Sequence, residues 1–252
     1  MIWLFFLFLI SSSLVATLAI AEGDATTSAP NASSPAAPKP QPVAVEETLH
    51  GHKITDPFRW LEDGESSATQ QFVRDELNYT RSVLDPLPGR DALHARLSEL
   101  FSVGALSTPN VAGEYYFYRR REGNQNQPVL YVRKGLNGAE QVLVDPNTLV
   151  ADGTISLDWF YPSHDGKYLT YGTSPSGSEI STLHVIESAT GKLLPDTIEQ
   201  TRAASLAWMP DNSGFYYTRY PKPGDVAPGE EMYNRHVFYH ALGSDPAKDR
   251  LI

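Results

Sequence analysis

The feature that most constrains this chain is a repeated unit of strand, tight turn and aromatic strand. Trp159, His164-Asp165-Gly166 and Tyr168-Leu169-Thr170-Tyr171 are matched by Trp208, Pro210-Asp211-Asn212-Ser213-Gly214 and Phe215-Tyr216-Tyr217. The tryptophans lie 49 positions apart and the aspartates 46. Val111-Ala112-Gly113-Glu114 with Tyr115 to Tyr118 is a weaker, earlier copy. Short strands recurring at roughly 45–50 residues are the pattern of a β-propeller. A four-stranded blade has two apolar faces that it cannot bury alone, and stacking blades radially buries them. A β-sandwich with coincidental turn spacing is the alternative.

The local periods agree with a mostly β chain. After position 102 the apolar period is two, which predicts strands over Glu114–Arg119, Val129–Arg133, Gln141–Val144, Lys167–Tyr171, Ser181–Ile186, Phe215–Arg219 and Val237–Ala241. Turn signals such as Asn137-Gly138, Asp165-Gly166 and Asp211-Asn212 separate them. Before that point the period is helical. Ser66–Leu84 puts Val73, Leu77, Thr80 and Leu84 on one face, and Gly89–Phe101 groups Leu93, Leu97, Leu100 and Phe101. Candidate caps run from Asp63 to Ser67, and Asp63 is read as one of them. Two amphipathic helices of this kind need a surface to pack against.

The start of the chain is different in kind. Met1 to Ile20 is nearly all apolar apart from Ser11 to Ser13 and Thr17, and Ala19-Ile20-Ala21 offers small residues where a signal peptidase cuts. Residues 1–21 are therefore expected to be a signal peptide, which implies a secreted or periplasmic protein. No Lys or Arg precedes the apolar run, and about twenty apolar residues could just span a bilayer, so an uncleaved anchor is the second reading. Residues 22–44 are rich in Pro, Ala and Ser and are expected to be a disordered linker. Asn31-Ala32-Ser33 and Asn78-Tyr79-Thr80 are glycosylation sequons, relevant in a eukaryotic source. A net charge of -10 argues against nucleic acid or an anionic membrane surface as partner. With no cysteine, disulfides, thiolate metal sites and a cysteine nucleophile are excluded.

One segment is more specific than the repeat. His50-Gly51-His52-Lys53-Ile54-Thr55-Asp56-Pro57-Phe58-Arg59-Trp60-Leu61-Glu62-Asp63 resembles the entry segment of the prolyl oligopeptidase family of serine peptidases, with Phe58 where tyrosine is usual. The likeness continues through Gln125 to Val132, Leu143 to Asn147, Tyr171 to Ser178, Ala207-Trp208 and Tyr239 to Gly243. The resemblance implies a seven-bladed propeller inserted into an α/β-hydrolase domain that carries the serine, aspartate and histidine. On that basis 45–101 is a helical segment belonging with an absent hydrolase domain. Residues 102–252 are then an incomplete propeller of two blades and part of a third. The implied substrates are short peptides, usually cleaved after proline, admitted past the propeller. The implied protein is a monomer when full length, uses no metal or organic cofactor, and has no stable membrane partner unless the signal is uncleaved.

The residues themselves hold no hydrolase chemistry. A serine nucleophile of this class needs a Gly-x-Ser-x-Gly elbow, and the nearest stretch, Gly172-Thr173-Ser174-Pro175-Ser176-Gly177, has the wrong spacing and is read as an inter-strand loop. No catalytic residue is assigned. His50, His52, His184, His236 and His240 are read as structural, and Glu62-Asp63 and Glu230-Glu231 as carboxylates that share no site. Arg119-Arg120-Arg121 is read as a solvated strand end, and Tyr115 to Tyr118 as packing. One substrate-pocket candidate follows from the resemblance. In relatives a residue shortly before the Ala-Trp pair lines a specificity pocket, typically with an aromatic ring, and Ala203 aligns with it in Thr201-Arg202-Ala203-Ala204-Ser205. Alanine would leave that pocket wider or less apolar. A short secreted propeller acting as a binding module is the competing reading. It is disfavoured because an unclosed ring leaves a strand edge and aromatic faces exposed.

Overall fold

His50 (φ 50°) and Gly51 (φ 81°) both adopt left-handed backbone, and so close a two-residue hairpin turn between β1 (Val45–Leu49) and β2 (His52–Asp56). The hairpin belongs to a computed structural model that describes residues 36–123 and 125–252. The expected signal peptide (1–21), the linker up to residue 35 and the sequon at Asn31 lie outside the described residues. The chain forms two units, one ending at Arg90 and one running from Asp91 to Ile252.

In the first unit Arg59 ties the hairpin to the 3-10 turn in which it lies. Its guanidinium meets Asp56 at 2.9 Å, Glu47 at 2.8 Å and Glu62 at 3.5 Å. Hydrogen bonding to Arg59 holds both the Glu47 and the Asp56 carboxyl below their ordinary range. Residues 36–44 carry no helix or strand, yet they attach here: Val43 N–H donates to Pro57 O (2.8 Å), and Trp60 Nε1–H donates to Gln41 O (2.9 Å). The 3-10 turn, Arg59–Glu62, leads into α1 (Ser67–Leu84). Ser66, not Asp63, caps it: Ser66 Oγ accepts from the Thr69 N–H (3.2 Å). Asp63 lies too far ahead of the first turn and instead accepts from Glu65 N–H (3.1 Å). The apolar face expected for this helix forms, but Val73, Leu77 and Leu84 stay exposed.

All of α2 (Arg90–Phe101) but its first residue belongs to the second unit, and its Leu93, Leu97, Leu100 and Phe101 are likewise exposed. The unit then runs almost entirely in antiparallel strands. The first sheet joins β3 (Ala105–Leu106) and β4 (Asn110–Ala112), both paired with β5 (Tyr115–Arg121), to β6 (Val129–Lys134) and β7 (Gln141–Val144). A single helical turn, α3 (Pro146–Leu149), precedes the second sheet. That sheet is β8 (Ile155–Pro162), β9 (Tyr168–Pro175), β10 (Thr182–Glu187) and β11 (Leu193–Ile198), in sequence order. The third is β12 (Leu206–Trp208), β13 (Gly214–Arg219), β14 (His236–Ala241) and β15 (Arg250–Leu251), again in order.

Alternation along the strands explains the stacking. In β10, Leu183 and Val185 enter one core and Ile186 the other. Side chains of a strand alternate between faces, so the middle sheet is buried on both sides. One core sets Phe117, Leu130 and Val132 of the first sheet against Leu157, Leu169 and Tyr171 of the second. The other sets Leu183, Val185 and Ile198 of the second against Trp208, Phe215 and Tyr217 of the third. Full burial of each such side chain contributes about 1.5–3 kcal/mol.

The repeat seen in the sequence is a repeat of hairpins. Asp165 Oδ1 accepts from Lys167 N–H (3.0 Å), and Asp211 Oδ1 from Ser213 N–H (3.0 Å), in the β8–β9 and β12–β13 turns. Neighbouring turns touch. Asn212 Nδ2 donates to Asp165 Oδ2 (2.9 Å), and His164 Nε2 donates to Trp208 O (3.0 Å). A Cβ on Gly113, in the β4–β5 turn, would lie 2.4 Å from Asp165 O.

The arginine run is not a solvated edge. Arg119 and Arg120 pair through β6 and Arg120 and Arg121 through β3, so the run sits inside the sheet. Arg119 Nη2 crosses to Asp158 O (3.2 Å) and its guanidinium lies over Phe160. Arg120 pairs with Glu140 at 2.7 Å and stacks on Tyr131. Arg121 Nη2 donates to Phe101 O (3.0 Å).

Candidate functional site

The link from β11 to β12 (199–205) carries Ala203, and its conformation is pinned from several sides. Thr201 is fully buried; its N–H (2.9 Å) and its hydroxyl (2.8 Å) both donate to Ser181 O. Ser181 in turn donates to Asp158 Oδ2 (2.6 Å), which Ser174 helps to fix through Oδ1 (3.1 Å). Tyr220 N–H donates to Gln200 O (2.9 Å), and the Tyr161 hydroxyl donates to Ala204 O (3.1 Å). Ala204 is thereby buried and Ala203 is turned outward. Its φ of 45° lies in the left-handed region, where an L side chain is strained.

Charge surrounds the exposed methyl. Arg202 pairs with Glu179 at 2.7 Å, and Arg235 Nη1 donates to Ala203 O (3.3 Å) while its guanidinium sits 5.7 Å from the Tyr220 ring. These groups can hold the carbonyls or a terminal carboxylate of a peptide. They include no nucleophile paired with a base.

The other candidates fall where packing puts them. Ser174 is buried within β9, and the turn to β10 starts at Ser176 and Gly177, both at positive φ, so this stretch is a hairpin. His50 is a turn residue, and His236 is exposed on β14. His184 packs on Tyr171, and burial pushes its pKa down. Glu231 accepts from Gly229 N–H (2.8 Å) in an exposed loop, whereas Glu62 sits beside Arg59. Among the described residues no cluster of three His, Cys, Asp or Glu side chains is placed to hold a metal.

One buried polar cluster was not anticipated. His240, on β14, is fully buried between two carboxylates: Nε2 faces Asp196 Oδ1 at 2.9 Å and Nδ1 faces Asp249 Oδ1 at 2.7 Å. The Tyr217 hydroxyl donates to Asp249 Oδ2 (2.6 Å), and Gly243 N–H donates to Asp196 Oδ1. Burial works against charge on His240, but the bonds to Asp196 and Asp249 outweigh it and raise its pKa above the ordinary 6.5. Burial also works against the Asp196 carboxylate, and the bonds from His240 and Gly243 outweigh it in the opposite direction, lowering that pKa. The available signal was a polar His240 within the strand expected over Val237–Ala241.

Stacked antiparallel sheets joined by tight hairpins define a mostly β module. Residues 37–252 match the family model described as the prolyl oligopeptidase N-terminal β-propeller domain. The chain belongs to the prolyl oligopeptidase family, through that domain. It is 31% identical over 229 residues to the prolyl endopeptidase of Elizabethkingia meningoseptica, covering 90% of this chain and 32% of that protein. It is 31% identical over 235 residues to prolyl oligopeptidase A of Amanita bisporigera, covering 82% and 30%. A solved structure from a study of two prolyl endopeptidases superposes with a TM-score of 0.77 at 36% identity, covering 85% of this chain and 32% of that one. The chain thus spans about a third of the length of the relatives it matches.

Proposed function

We propose that this chain is the N-terminal, propeller-bearing part of a secreted prolyl oligopeptidase-like serine endopeptidase that hydrolyses short proline-containing peptides. The observation that carries the reading is the family match over residues 37–252. On this reading the three sheets are two blades and part of a third in a seven-bladed ring, which gates access to a catalytic α/β-hydrolase part. Residues 45–101 go with that part, and 102–252 form the propeller. The exposed Val73, Leu77, Leu93 and Leu97 of α1 and α2 support this, because the hydrolase would cover them. Secretion, to the periplasm or beyond, rests on the apolar run ending in Ala19-Ile20-Ala21. Ala203 would line a substrate pocket left wide by its single methyl, with Arg202 and Arg235 at the rim.

A chimera tests this directly. Residues 37–252 replace the matching third of the Elizabethkingia prolyl endopeptidase, and hydrolysis of a fluorogenic proline-containing peptide is measured. The folded chimera is expected to cleave and the 252-residue chain alone is not. Ala203→Phe in the chimera should shift preference among substrates that differ in bulk at the pocket. A folded chimera without activity, or turnover by the chain alone, would overturn the reading; an unchanged substrate profile would remove Ala203 from it.

A further inference from the structure

The His240 cluster lies where two sheets meet. Asp196 belongs to β11, the outer strand of the second sheet, whereas His240, Tyr217 and Asp249 belong to the third. Asp249 sits just ahead of β15, in the same connection as Gly243. The imidazole is therefore hydrogen-bonded to both sheets at once.

A carboxylate only accepts hydrogen bonds, and a neutral imidazole has only one N–H to give. Both ring nitrogens here face carboxylate oxygens within hydrogen-bond range, so both bonds exist together only when the ring carries two protons. Asp249 keeps a donor in the Tyr217 hydroxyl whichever way His240 is protonated. Asp196 is less well supplied: Oδ1 has the His240 ring and the Gly243 N–H, and Oδ2 is buried without a partner. Loss of one ring proton therefore leaves a buried carboxylate facing an imidazole lone pair.

We propose that His240 is a pH-sensitive clasp between the second and third sheets, closed while its ring is doubly protonated and loosened when one proton leaves. The weak side is the one across the sheets. The Asp249 bond lies within the third sheet and is backed by Tyr217, so the proton that remains is best kept on Nδ1, and the bond to Asp196 is the one given up. Local opening would then start at the Asp196–Gly243 contact, and the two sheets part along β11 and β14. The titratable and charged groups facing the ring are Asp196 from β11, Asp249 from the connection before β15, and Tyr217 from β13, with Arg219 acting on Tyr217. The upward shift of the His240 pKa agrees with this geometry.

The test uses the wild-type chain, so it does not depend on a variant that folds. Nitrogen-15 NMR of the imidazole follows the protonation of Nδ1 and Nε2 with pH, and amide exchange, corrected for intrinsic rate, follows the Gly243 N–H. Both ring nitrogens should be protonated at about pH 6 with a titration midpoint above 6.5. Through that midpoint Gly243 protection should fall roughly tenfold, the worth of one charge-assisted bond. A neutral ring at about pH 6, a ring that stays charged until the chain unfolds, or a titration that leaves Gly243 protection unchanged would each overturn the proposal. Asp196→Asn should move the midpoint down, and an unmoved midpoint in the folded variant would also count against it.

Discussion

At Gly172 the backbone of β9 runs directly under the indole of Trp159, its register partner on β8. A Cβ at that position would sit 2.3 Å from Trp159 Cε2 and 2.6 Å from Nε1. No rotation of a small group relieves such a clash; the indole itself must move, and it packs against the core shared with the third sheet. Gly172→Ala is therefore expected to destabilise the chain by about 1–3 kcal/mol, the usual cost of overpacking. Urea unfolding followed by tryptophan fluorescence measures it, and an unchanged midpoint would mean that the indole has room to shift. The sequence marks Gly172 only as the first residue of a failed nucleophile elbow. Its actual role needs the cross-strand partner, and register between strands is not written in either strand alone. Trp159 and Trp208, by contrast, are visible as repeat positions because bulk and spacing are local properties. The same limit hid the His240 cluster, whose members come from positions 196, 217, 240 and 249.

At the scale of elements, α1, α2, the inner strands and the edge strand β7 were legible, while the edge strands β11 and β15 were not. Strong periods of two or 3.6 survive in β5, β6, β13 and α1, and β10 is marked by a dense apolar run because its sheet is buried on both sides. The expected strand bounds agree with the observed ones within a few residues. β11 was missed for a physical reason: Pro195 removes a donor and Asp196 puts charge at an inward position. Proline is tolerated there because β11 is an edge strand, paired only with β10. The hairpin of β1 and β2 was obscured too, since all its residues are at least partly exposed and no apolar face forms. Residue type alone points to Asp63 as a cap, while the actual cap depends on where the first helical turn closes. Ser66 closes it twice, accepting from Thr69 N–H and donating to Thr69 Oγ1 (2.9 Å), and Thr69 Oγ1 donates to Trp60 O (2.9 Å). Ser66→Ala should cost about 1 kcal/mol, whereas Asp63→Ala, outside the cap, should cost clearly less. Chemical denaturation of the two variants side by side distinguishes them; equal losses would return the cap to Asp63.

The whole second unit depends on contacts between successive sheets, and several of the polar ones are ionised. Asp165 accepts from Asn212 in the neighbouring hairpin turn as well as from Ser163 and Lys167 in its own. Burial works against its charge, but the bonds from Lys167, Asn212 and Ser163 outweigh it and hold the carboxyl far below the usual range. Asp196 is depressed as well. A carboxyl whose folded pKa is depressed contributes stability that is present above the ordinary 3.8 and is lost as pH falls through the folded value. His240 has the opposite sign: its contribution is complete below 6.5 and is lost as pH rises through its raised folded pKa. Both kinds of group join the second sheet to the third, so their losses act on the same junction. The melting temperature should therefore be highest between about pH 4 and pH 6.5 and fall on either side. Asp165→Asn keeps the size of the side chain but removes its charge, so it should lower the plateau and flatten the acid limb while leaving the alkaline limb in place. Thermal melts across the pH range decide the matter. A melting temperature that rises on acidification below pH 4, or an acid limb as steep in Asp165→Asn as in the wild type, would show that these carboxylates do not hold the sheets together.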